Sequence, residues 1–593
     1  MKDFLKYIFA TVIGIILTGS ILFLLSMVTI FGIIASSEKE TPIQDNSVMT
    51  IHLVGSLEER ATINPLATLM GETENIIGLN DLLSAIQKAK EDDRIKGIYL
   101  EAGQLSNASP ASLEEARKAL LDFKQTGKFV VAYGDVYNQG EYYLCSVADK
   151  IILNPQGVID WKGLSSQPIF YKDSLEKLGI EMQIFKVGTY KSAVEPFIAN
   201  QMSEANRVQV QAYLNSIWER IVSDVATSRG LAIDSLNFYA NQGISLKASK
   251  EFVSTQLADT LMYKDEMKSY LKELVGIGKD EELQTLNMEE MGNIQKNIPM
   301  SKSGNILAVY YATGEIVDVA TNQFTGDENY IVGTRITKDL SKLREDDNVK
   351  AVVLRINSPG GSAFASEQIW NEVVKLKACK PVIVSMGGMA ASGGYYISCA
   401  ADTIFAESTT LTGSIGIFGM IPNMQNLLNN KLGIYTDIVK TNRYSDLGDI
   451  SRPLTPAESQ FIQNSIERGY DLFVTRCADG RNMSKEEIQN IAEGRVWTGC
   501  MAQEIGLVDA LGGINDAIAT AAQLANITEY SLISYPEVEN PFVSLFNESK
   551  DNYIESRIKE ETGAYYKYLK QIQHLQKAAP IQTHIGFEPN IQL

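Results

Sequence analysis

The sequence is poor in histidine, in paired cysteines and in positive charge. Its 593 residues include three His, and two of these, His574 and His584, lie among the last twenty positions. Triads and metal sites built on several His are therefore nearly excluded. The five Cys contain no CxxC pair, which leaves neither a zinc signature nor a disulfide framework. With 72 acidic and 53 basic residues the net charge is −19, so we expect no nucleic-acid partner.

One long apolar run stands at the N-terminus. It extends from Tyr7 to Ala35, 29 residues without a charge, whereas a bilayer core needs about 20. A cleavable signal peptide has an apolar core of only about 7–15 residues, so the length favours a single uncleaved transmembrane helix, although the small residues at its end leave cleavage open. Lys2 and Lys6 precede the run and an acidic flank follows it. This asymmetry predicts a cytoplasmic N-terminus and an extracytoplasmic body.

The rest of the chain is one unit written twice. Three segments recur in the same order at an offset of 253 or 254 positions, and such agreement is hard to obtain by chance. They are 90–102 with 344–356, 141–152 with 394–405, and 177–180 with 431–434. We therefore expect an anchor and linker at 1–47, a first domain at 48–300, a second at 301–540 and a helical tail at 541–593.

Both halves alternate short apolar runs with amphipathic stretches. In the second half KAVVLRI, PVIVSM and ADTIFA have the length and β-branched composition of strands, and SAFASEQIWNEVVKLKAC has helical spacing. Strand–helix–strand alternation predicts an α/β fold with largely parallel strands buried on both faces. The polar stretch 276–304 suits a boundary between the two domains.

Ser392 is the first candidate for chemistry. It lies between small residues in MAASGG, where a tight turn would expose its hydroxyl, although a close helix-packing site would also need only small side chains. The repeat places Gln139 opposite Ser392, so the first half keeps the packing frame and lacks the hydroxyl.

Lys191 lies in GTYKSAVEPF, a polar turn that follows the apolar run EMQIF. It is the candidate base, because a serine nucleophile needs one and the chain has no plausible His. A lysine can serve if burial keeps it neutral, although most lysines are simply exposed. The repeat places Ser445 opposite Lys191. Each half thus lacks the reactive residue of the other, which is expected if one composite site draws on both.

A Gly-rich turn, NSPGGS, follows the strand-like run KAVVLRI and contains Gly360 and Gly361. Such a turn presents backbone N–H groups that could hold an oxyanion or a phosphate. Many strand–helix turns are Gly-rich without a function, and the first half has EAGQLSNAS at the matching place.

The motifs RINSPGGSAFASEQIW, MAASGGYYIS, LTGSIG, TYKSAVEPF and GRVWTGCMAQEIGLVDALGG together resemble the long, duplicated form of signal peptide peptidase A, also called protease IV. The resemblance covers essentially the whole chain. It implies two tandem ClpP/crotonase-like domains after a single transmembrane helix, and a membrane-bound serine peptidase with a Ser/Lys dyad that degrades cleaved signal peptides. It also implies no cofactor and no metal, a homotetramer, and a place in the cell's inner (cytoplasmic) membrane with the body on the periplasmic side.

The resemblance also implies residue roles. Ser392 would be the nucleophile, Lys191 the general base and Ser414 the serine that orients the lysine. The oxyanion hole would be formed by Gly360, Gly361 and Gly393. The segment GGM at 387–389 departs from the Gly-Asp-Tyr expected in some relatives and leaves the subsites open.

Two rival functions stand beside the peptidase. A catalytically inactive membrane scaffold of the same fold would not need Ser392, Lys191 and Ser414 intact. An acyl-CoA enzyme of the crotonase kind would fit the fold, but its substrates are cytoplasmic. The expected substrates of the peptidase are signal peptides and other short apolar peptides. Whether the dyad forms within one chain or across subunits does not follow from the repeat.

Overall fold

A computed structural model describes residues 43–61, 75–292, 303–319 and 330–537, the backbone of 581–584, and scattered helical positions between 6 and 25. Most of the apolar run Tyr7–Ala35 and nearly all of the expected tail 541–593 lie outside these residues. Within the described part of the chain, no helix has both the length and the apolar character needed to cross a bilayer.

The strands are numbered along the chain. They are β1 (Ser47–Glu58), β2 (Ile76–Gly78), β3 (Ile95–Ser106), β4 (Phe129–Tyr137), β5 (Lys150–Ile159), β6 (Glu181–Val187), β7 (Thr260–Leu261), β8 (Thr285–Leu286), β9 (Ile306–Thr313), β10 (Glu315–Val317), β11 (Tyr330–Val332), β12 (Val349–Ser358), β13 (Gly360–Ser362), β14 (Val382–Ala391), β15 (Thr403–Ala406), β16 (Leu411–Gly413), β17 (Ile417–Asn423), β18 (Val496–Thr498), β19 (Ala510–Leu511), β20 (Ser531–Tyr535) and β21 (Ile581–His584).

The helices are numbered in the same way. They are α1 (Leu79–Glu91), α2 (Pro110–Lys124), α3 (Gln139–Cys145), α4 (Lys172–Leu178), α5 (Glu195–Ile198), α6 (Glu204–Arg229), α7 (Ile233–Asn241), α8 (Ser249–Ser254), α9 (Lys264–Val275), α10 (Met288–Gly292), α11 (Gly333–Glu345), α12 (Ala363–Lys377), α13 (Gly393–Ser398), α14 (Pro456–Arg481), α15 (Lys485–Ile491), α16 (Gly499–Glu504) and α17 (Ile514–Leu524).

Each half of the chain has its own sheet. The first runs in the order β2-β1-β3-β4-β5-β7, with β8 added beside β1, and all its pairings are parallel. The second runs β18-β16-β14-β12-β9-β20, with β15 joining β14 to β19, and its pairings are parallel apart from β16 with β18. Helices cover both faces, so β-branched runs such as that of β12 are almost wholly buried.

The internal repeat is visible in three dimensions. The order β3-α2-β4-α3-β5 in the first half returns as β12-α12-β14-α13-β15 in the second. The three runs expected to be strands are β12, β14 and β15, and the expected helix between the first two is α12, so these predictions are confirmed. The stretch 276–304 differs from a plain linker, because its strand β8 pairs with β1 and so belongs to the first sheet.

A third, smaller sheet joins the two halves. Its order is β11-β10-β13-β21-β17-β6. Strand β6 of the first half lies antiparallel to β17 of the second, from Glu181 opposite Asn423 to Val187 opposite Ile417. This pairing carries the loop after β6, which contains Lys191, across to the second half.

A buried ion cluster also connects the halves. Arg355 on β12 donates to Glu59 at 2.7 Å and to Glu115 at 2.8 Å, and its side chain is 1% exposed. Nη1 of the same guanidinium donates to Ser385 Oγ at 2.8 Å. Glu59 and Glu115 belong to the first half and Arg355 to the second, so the cluster joins the first half to the second sheet. Removing one member would leave the other buried charges without a partner.

Candidate active site

Ser392 occupies a sharp turn between strand β14 and helix α13. Its backbone has φ 56° and ψ −113°, a region that residues other than glycine rarely adopt. The amide of Ser392 donates to the carbonyl of Gly413 at 2.8 Å, which holds the turn against strand β16. Such backbone strain costs about 1–3 kcal/mol and is kept when the surrounding structure imposes it. The side chain is fully buried in the single chain.

Lys191 lies next to Ser392, although it belongs to the first half of the chain and Ser392 to the second. It lies just beyond β6, where the amide of Tyr190 donates to the Glu493 carbonyl at 2.9 Å. A Cβ on Gly494 would stand 2.7 Å from Lys191 Cβ, so only glycine allows this approach. The lysine was expected on a polar turn, and the turn is there, but its side chain is only 1% exposed.

The Lys191 amine has three oxygen neighbours. Its Nζ lies 2.7 Å from Ser392 Oγ, 3.1 Å from Ser414 Oγ and 3.3 Å from the Ser414 carbonyl. A neutral amine has two N–H donors and one lone pair. If the two N–H groups face the oxygens of Ser414, the lone pair accepts the hydroxyl hydrogen of Ser392. The geometry thus allows a proton to pass directly from serine to lysine.

Burial decides the charge of this amine. Desolvation lowers the pKa of Lys191 well below its usual range, because a charged ammonium loses its hydration in the interior. No carboxylate within the described chain is bonded to Nζ to restore the charged form. The neutral, basic form is therefore favoured at a pH where an exposed lysine would be protonated.

Ser414 is held as rigidly as Ser392. Its amide donates to the Arg495 carbonyl at 2.7 Å, and its φ is 51°, again in the left-handed region. The repeat partner of Ser392 is Gln139, which does not have a positive φ. The strained turn at Ser392 therefore belongs to the half that carries the hydroxyl.

The Gly-rich turn lies beside the start of helix α13. Gly360 and Gly361 form strand β13, with φ of 104° and 154°. The amide of Gly360 donates to Ser358 Oγ at 3.1 Å, so this N–H already has a partner inside the turn. Gly393 is the first residue of α13, and a first-turn amide has no carbonyl within its own helix to bond. Gly393 directly follows Ser392 in the chain, so its amide lies next to the Ser392 side chain.

The repeat-equivalent residues lie elsewhere. Gln139 is fully buried in the first half, where its side-chain oxygen accepts the amides of Lys162 and Gly163, both at 3.0 Å. Ser445 is exposed, and its hydroxyl donates to the Asn442 carbonyl at 3.0 Å. Neither residue contacts the pair Lys191–Ser392.

Gln209 is a buried residue of this region that sequence reasoning missed. It lies on α6, its Nε2 donates to the carbonyl of Tyr190 at 3.1 Å, and its Oε1 accepts the amide of Val496 at 3.2 Å. It thereby ties the lysine loop of the first half to β18 of the second. A lone Gln in a long helix gives no sequence signal for such a role, whereas Gly494 stands in GRVWTG, one of the motifs that carry the resemblance.

The chain matches known proteins over most of its length. The family model described as peptidase family S49 matches residues 122–278 and again 374–528, once in each half, and the Clp protease model matches 313–411. The chain is 38% identical over 518 residues to Protease 4 of Haemophilus influenzae, covering 85% of this chain and 83% of that protein. Against Protease 4 of Salmonella typhi it is 39% identical over 470 residues, with 77% and 74% covered.

One further relative and one solved structure also match the chain. The chloroplastic serine protease SPPA of Arabidopsis thaliana is 33% identical over 506 residues, covering 85% of this chain and 73% of that one. Among solved structures, a ClpP1 mutant from Listeria monocytogenes is 19% identical and covers 35% of this chain and 94% of its own, with a TM-score of 0.24.

Proposed function

The chain belongs to peptidase family S49 and is a serine peptidase, and from this premise we propose that Ser392 is its nucleophile and Lys191 its general base. The observation that carries the proposal is the 2.7 Å contact between Lys191 Nζ and Ser392 Oγ, both buried. Among the His side chains that the structure describes, none stands beside the pair, since His52 contacts Glu101 in the first half. A neutral amine in hydrogen-bond reach of a hydroxyl is the arrangement that nucleophilic catalysis needs.

The reaction follows from these positions. Lys191 Nζ takes the hydroxyl proton while Ser392 Oγ bonds to the scissile carbonyl carbon, and the carbonyl oxygen becomes an oxyanion. The amide of Gly393 faces that oxyanion, with the turn at Gly360 and Gly361 beside it; one such donor is worth roughly 3 kcal/mol in other enzymes. The ammonium of Lys191 then protonates the leaving amine as the C–N bond breaks. Water, deprotonated by Lys191, then attacks the acyl carbon. The bond from this carbon to Ser392 Oγ breaks, and the ammonium of Lys191 returns its proton to Oγ as the carboxylic acid product leaves.

Ser414 orients the base in this scheme. Its two oxygens take the N–H groups of Lys191, which leaves the lone pair directed at Ser392. They also bond the ammonium that forms during the reaction, so Ser414 supports both protonation states of the lysine.

The expected substrate is an extended peptide. Strand β21 lies antiparallel to both β13 and β17, with Gly361 opposite Thr583 and Phe418 opposite Gln582. The gap between the Gly-rich turn and β17 is therefore wide enough for one extended chain and offers main-chain groups on both sides. We propose that cleaved signal peptides and other short apolar peptides enter this gap.

We also propose where the enzyme works. The apolar run Tyr7–Ala35 would anchor the chain in the inner membrane, with the N-terminus in the cytoplasm and the peptidase body on the periplasmic side. The assembly proposed is a homotetramer. An anchored body faces peptides that remain in the membrane after their release from preproteins.

A mutational cycle on the purified full chain tests the dyad. Ser392→Ala and Lys191→Ala should each lower kcat/KM on a fluorogenic peptide by at least about 10⁴-fold, and the double variant should be no worse, since residues that act as one unit are non-additive. The matched controls are Gln139→Ala and Ser445→Ala at the repeat-equivalent positions, which should retain nearly full kcat. A control variant as inactive as Ser392→Ala would overturn the composite site, provided that circular dichroism shows all variants to be folded.

A competition assay tests the substrate class. The full chain in detergent is given an apolar, signal-peptide-like peptide and a highly charged unfolded peptide of equal length. We expect a higher kcat/KM for the apolar peptide. Equal or faster cleavage of the charged peptide would contradict the proposed substrates and leave the dyad untouched.

A further inference from the structure

Tyr190, the residue before Lys191, has both of its backbone groups bonded to other parts of the chain. Its amide donates to the Glu493 carbonyl at 2.9 Å, and its carbonyl accepts Nε2 of Gln209 at 3.1 Å. Oε1 of the same glutamine accepts the amide of Val496 at 3.2 Å. These bonds close a ring between the lysine loop and the segment that contains Glu493 and Val496, and the ring is completed by one side-chain amide.

The Gln209 side chain has little freedom to move. The residue is 1% exposed, and its Nε2 lies 3.1 Å from the hydroxyl oxygen of Ser192 and 3.1 Å from Oδ1 of Asn206, as well as near the Tyr190 carbonyl. Tyr190 and Ser192 flank Lys191 in the sequence, so one amide group contacts both neighbours of the base. A buried polar network whose members all have partners is rigid.

The bond to Val496 connects this contact to the other side of the site. Val496 lies opposite Gly413 where β18 pairs with β16. The Gly413 carbonyl accepts the amide of Ser392 at 2.8 Å, and Ser414 follows Gly413 directly. Gln209 is therefore one strand away from the backbone that holds both serines near the lysine amine.

The internal repeat shows that a helix in this place does not itself need the glutamine. Helices α6 and α14 both have 26 residues, and the residues that cap their N-termini, Ser203 and Thr455, are 252 positions apart. At the same offset the counterpart of Gln209 is Phe461, which is 49% exposed. The second half also has no lysine at the position of Lys191. The buried glutamine and the buried lysine thus occur in the same half of the chain.

Charged side chains near the lysine loop have other partners. Lys186 donates to the Lys191 carbonyl at 3.4 Å, and Glu195 accepts hydrogen bonds from the start of α6. The Glu493 carboxylate accepts the Thr189 amide at 3.4 Å, and the Arg495 guanidinium lies 5.2 Å from the centroid of the Tyr190 ring. None of these groups is bonded to Lys191 Nζ in the part of the chain that the structure describes. The position of the amine therefore depends on how the loop itself is held.

We propose that Gln209 is a positioning residue for the base, which holds the lysine loop so that the amine of Lys191 stays beside Ser392 Oγ and is shielded from water. This inference rests on the proposed dyad and adds a residue that supports it. The hydrogen bonds of Gln209 reach neither Ser392 nor the strands on the two sides of the peptide gap, so it acts through the loop. A displacement of about 1 Å at a reacting group can lower the rate by about 100-fold.

Gln209→Met in the full chain removes the amide and keeps the size of the side chain. The kcat at the pH plateau should fall by about 10- to 100-fold with KM nearly unchanged. The rising limb of the pH–rate profile should move to higher pH, because water that reaches the amine favours its charged form. The matched control is Gln211→Met, since Gln211 is an exposed residue of the same helix whose amide donates to Asn215. The control should keep the wild-type kcat and pH limb.

Gln209→Glu tests the same role with a side chain of nearly the same shape, and it carries the test if the Met variant does not fold. It keeps the oxygen that accepts the Val496 amide and replaces the donating group by a second oxygen. A carboxylate beside the lysine loop favours the ammonium, so the rising limb should move up by about 1 pH unit or more. Gln211→Glu introduces the same charge on the exposed side of the helix and should leave the limb in place.

Three results would overturn the proposal. Unchanged kcat and pH limb in a folded variant would mean that Gln209 only stabilises the fold, and failure of both variants to fold would mean the same. A higher KM at constant kcat would assign Gln209 to peptide binding. These results would leave the mutational cycle on the dyad unaffected, whereas activity in Lys191→Ala would contradict the dyad itself.

Discussion

Replacing Lys191 by Met should inactivate the enzyme and at the same time remove a pH dependence from its stability. The side chain is 1% exposed, and desolvation holds its pKa well below the usual range. In the unfolded chain the same lysine titrates near its ordinary value of about 10.4. Between these two pKa values the unfolded chain binds a proton that the folded protein does not. Stability of the wild type therefore rises with pH in this window.

The magnitude follows from proton linkage. One proton of difference changes the free energy of unfolding by about 1.4 kcal/mol for each pH unit. Over 1.5 pH units inside this window the wild type should gain roughly 2 kcal/mol relative to Lys191→Met, which lacks the titrating group. For a cooperative unit of about 250 residues, this is roughly 4 °C in Tm. The lost hydrogen bonds to Ser392 and Ser414 shift the variant by a constant amount and leave the slope unchanged.

Thermal unfolding of the full chain in detergent measures this slope. The Tm difference between wild type and Lys191→Met is recorded across the pH range, with Lys150→Met as the control, because Lys150 is an exposed lysine at the start of β5. The control should follow the wild type in both Tm slope and activity. A Tm difference that stays constant from pH 7.5 to 9.0 would mean that Lys191 is charged in the folded protein, and the general-base argument would fail with it.

Other perturbations have equally definite outcomes. Ser414→Ala removes one hydrogen bond to the base, worth about 1 kcal/mol, so kcat should fall about fivefold with KM unchanged in steady-state assays. Arg355→Leu leaves Glu59 and Glu115 buried without a partner and should lower the free energy of unfolding by about 3–5 kcal/mol, measured by thermal unfolding. Adding Glu59→Leu and Glu115→Leu should restore most of this stability. If it does not, the buried charges are not what destabilises the single variant. Ending the chain before Ile581 removes β21 from the peptide gap and should lower KM for peptides severalfold, whereas an unchanged KM would mean that β21 does not compete with substrate.

Residue patterns and the internal repeat predicted the two α/β halves and the main residues of the candidate site. The repeat set the two α/β halves, and the reciprocal absences at Gln139 and Ser445 indicated that Ser392 and Lys191 belong to one site. These inferences needed only residue types and spacing. The structure brings Ser392 and Lys191 together within a single chain, which the repeat alone left open.

The burial of the Lys191 side chain and the pairing of strands from different halves could not be predicted from the sequence in this way. Lys191 was expected on a polar turn, and its enclosure comes from Gly494 and Gly416, which are distant in sequence. The third sheet pairs β6 with β17, strands from opposite halves whose register depends on tertiary packing. Gln209 links the two halves through the backbone of Tyr190 and Val496, and no residue pattern in the sequence predicts such a contact.

The proposed dyad has its two residues in different halves of the chain, and this determines when during synthesis the site can form. Lys191 precedes Ser392 by 201 positions, and the backbone that encloses the lysine comes from 493–495. At about 5–20 residues per second, roughly 15–60 s separate the synthesis of the base from that of its enclosing segment. A chain still emerging from the ribosome has no paired base and nucleophile for most of this time. Synthesis order thus keeps the proposed base and nucleophile apart until most of the second half has been made.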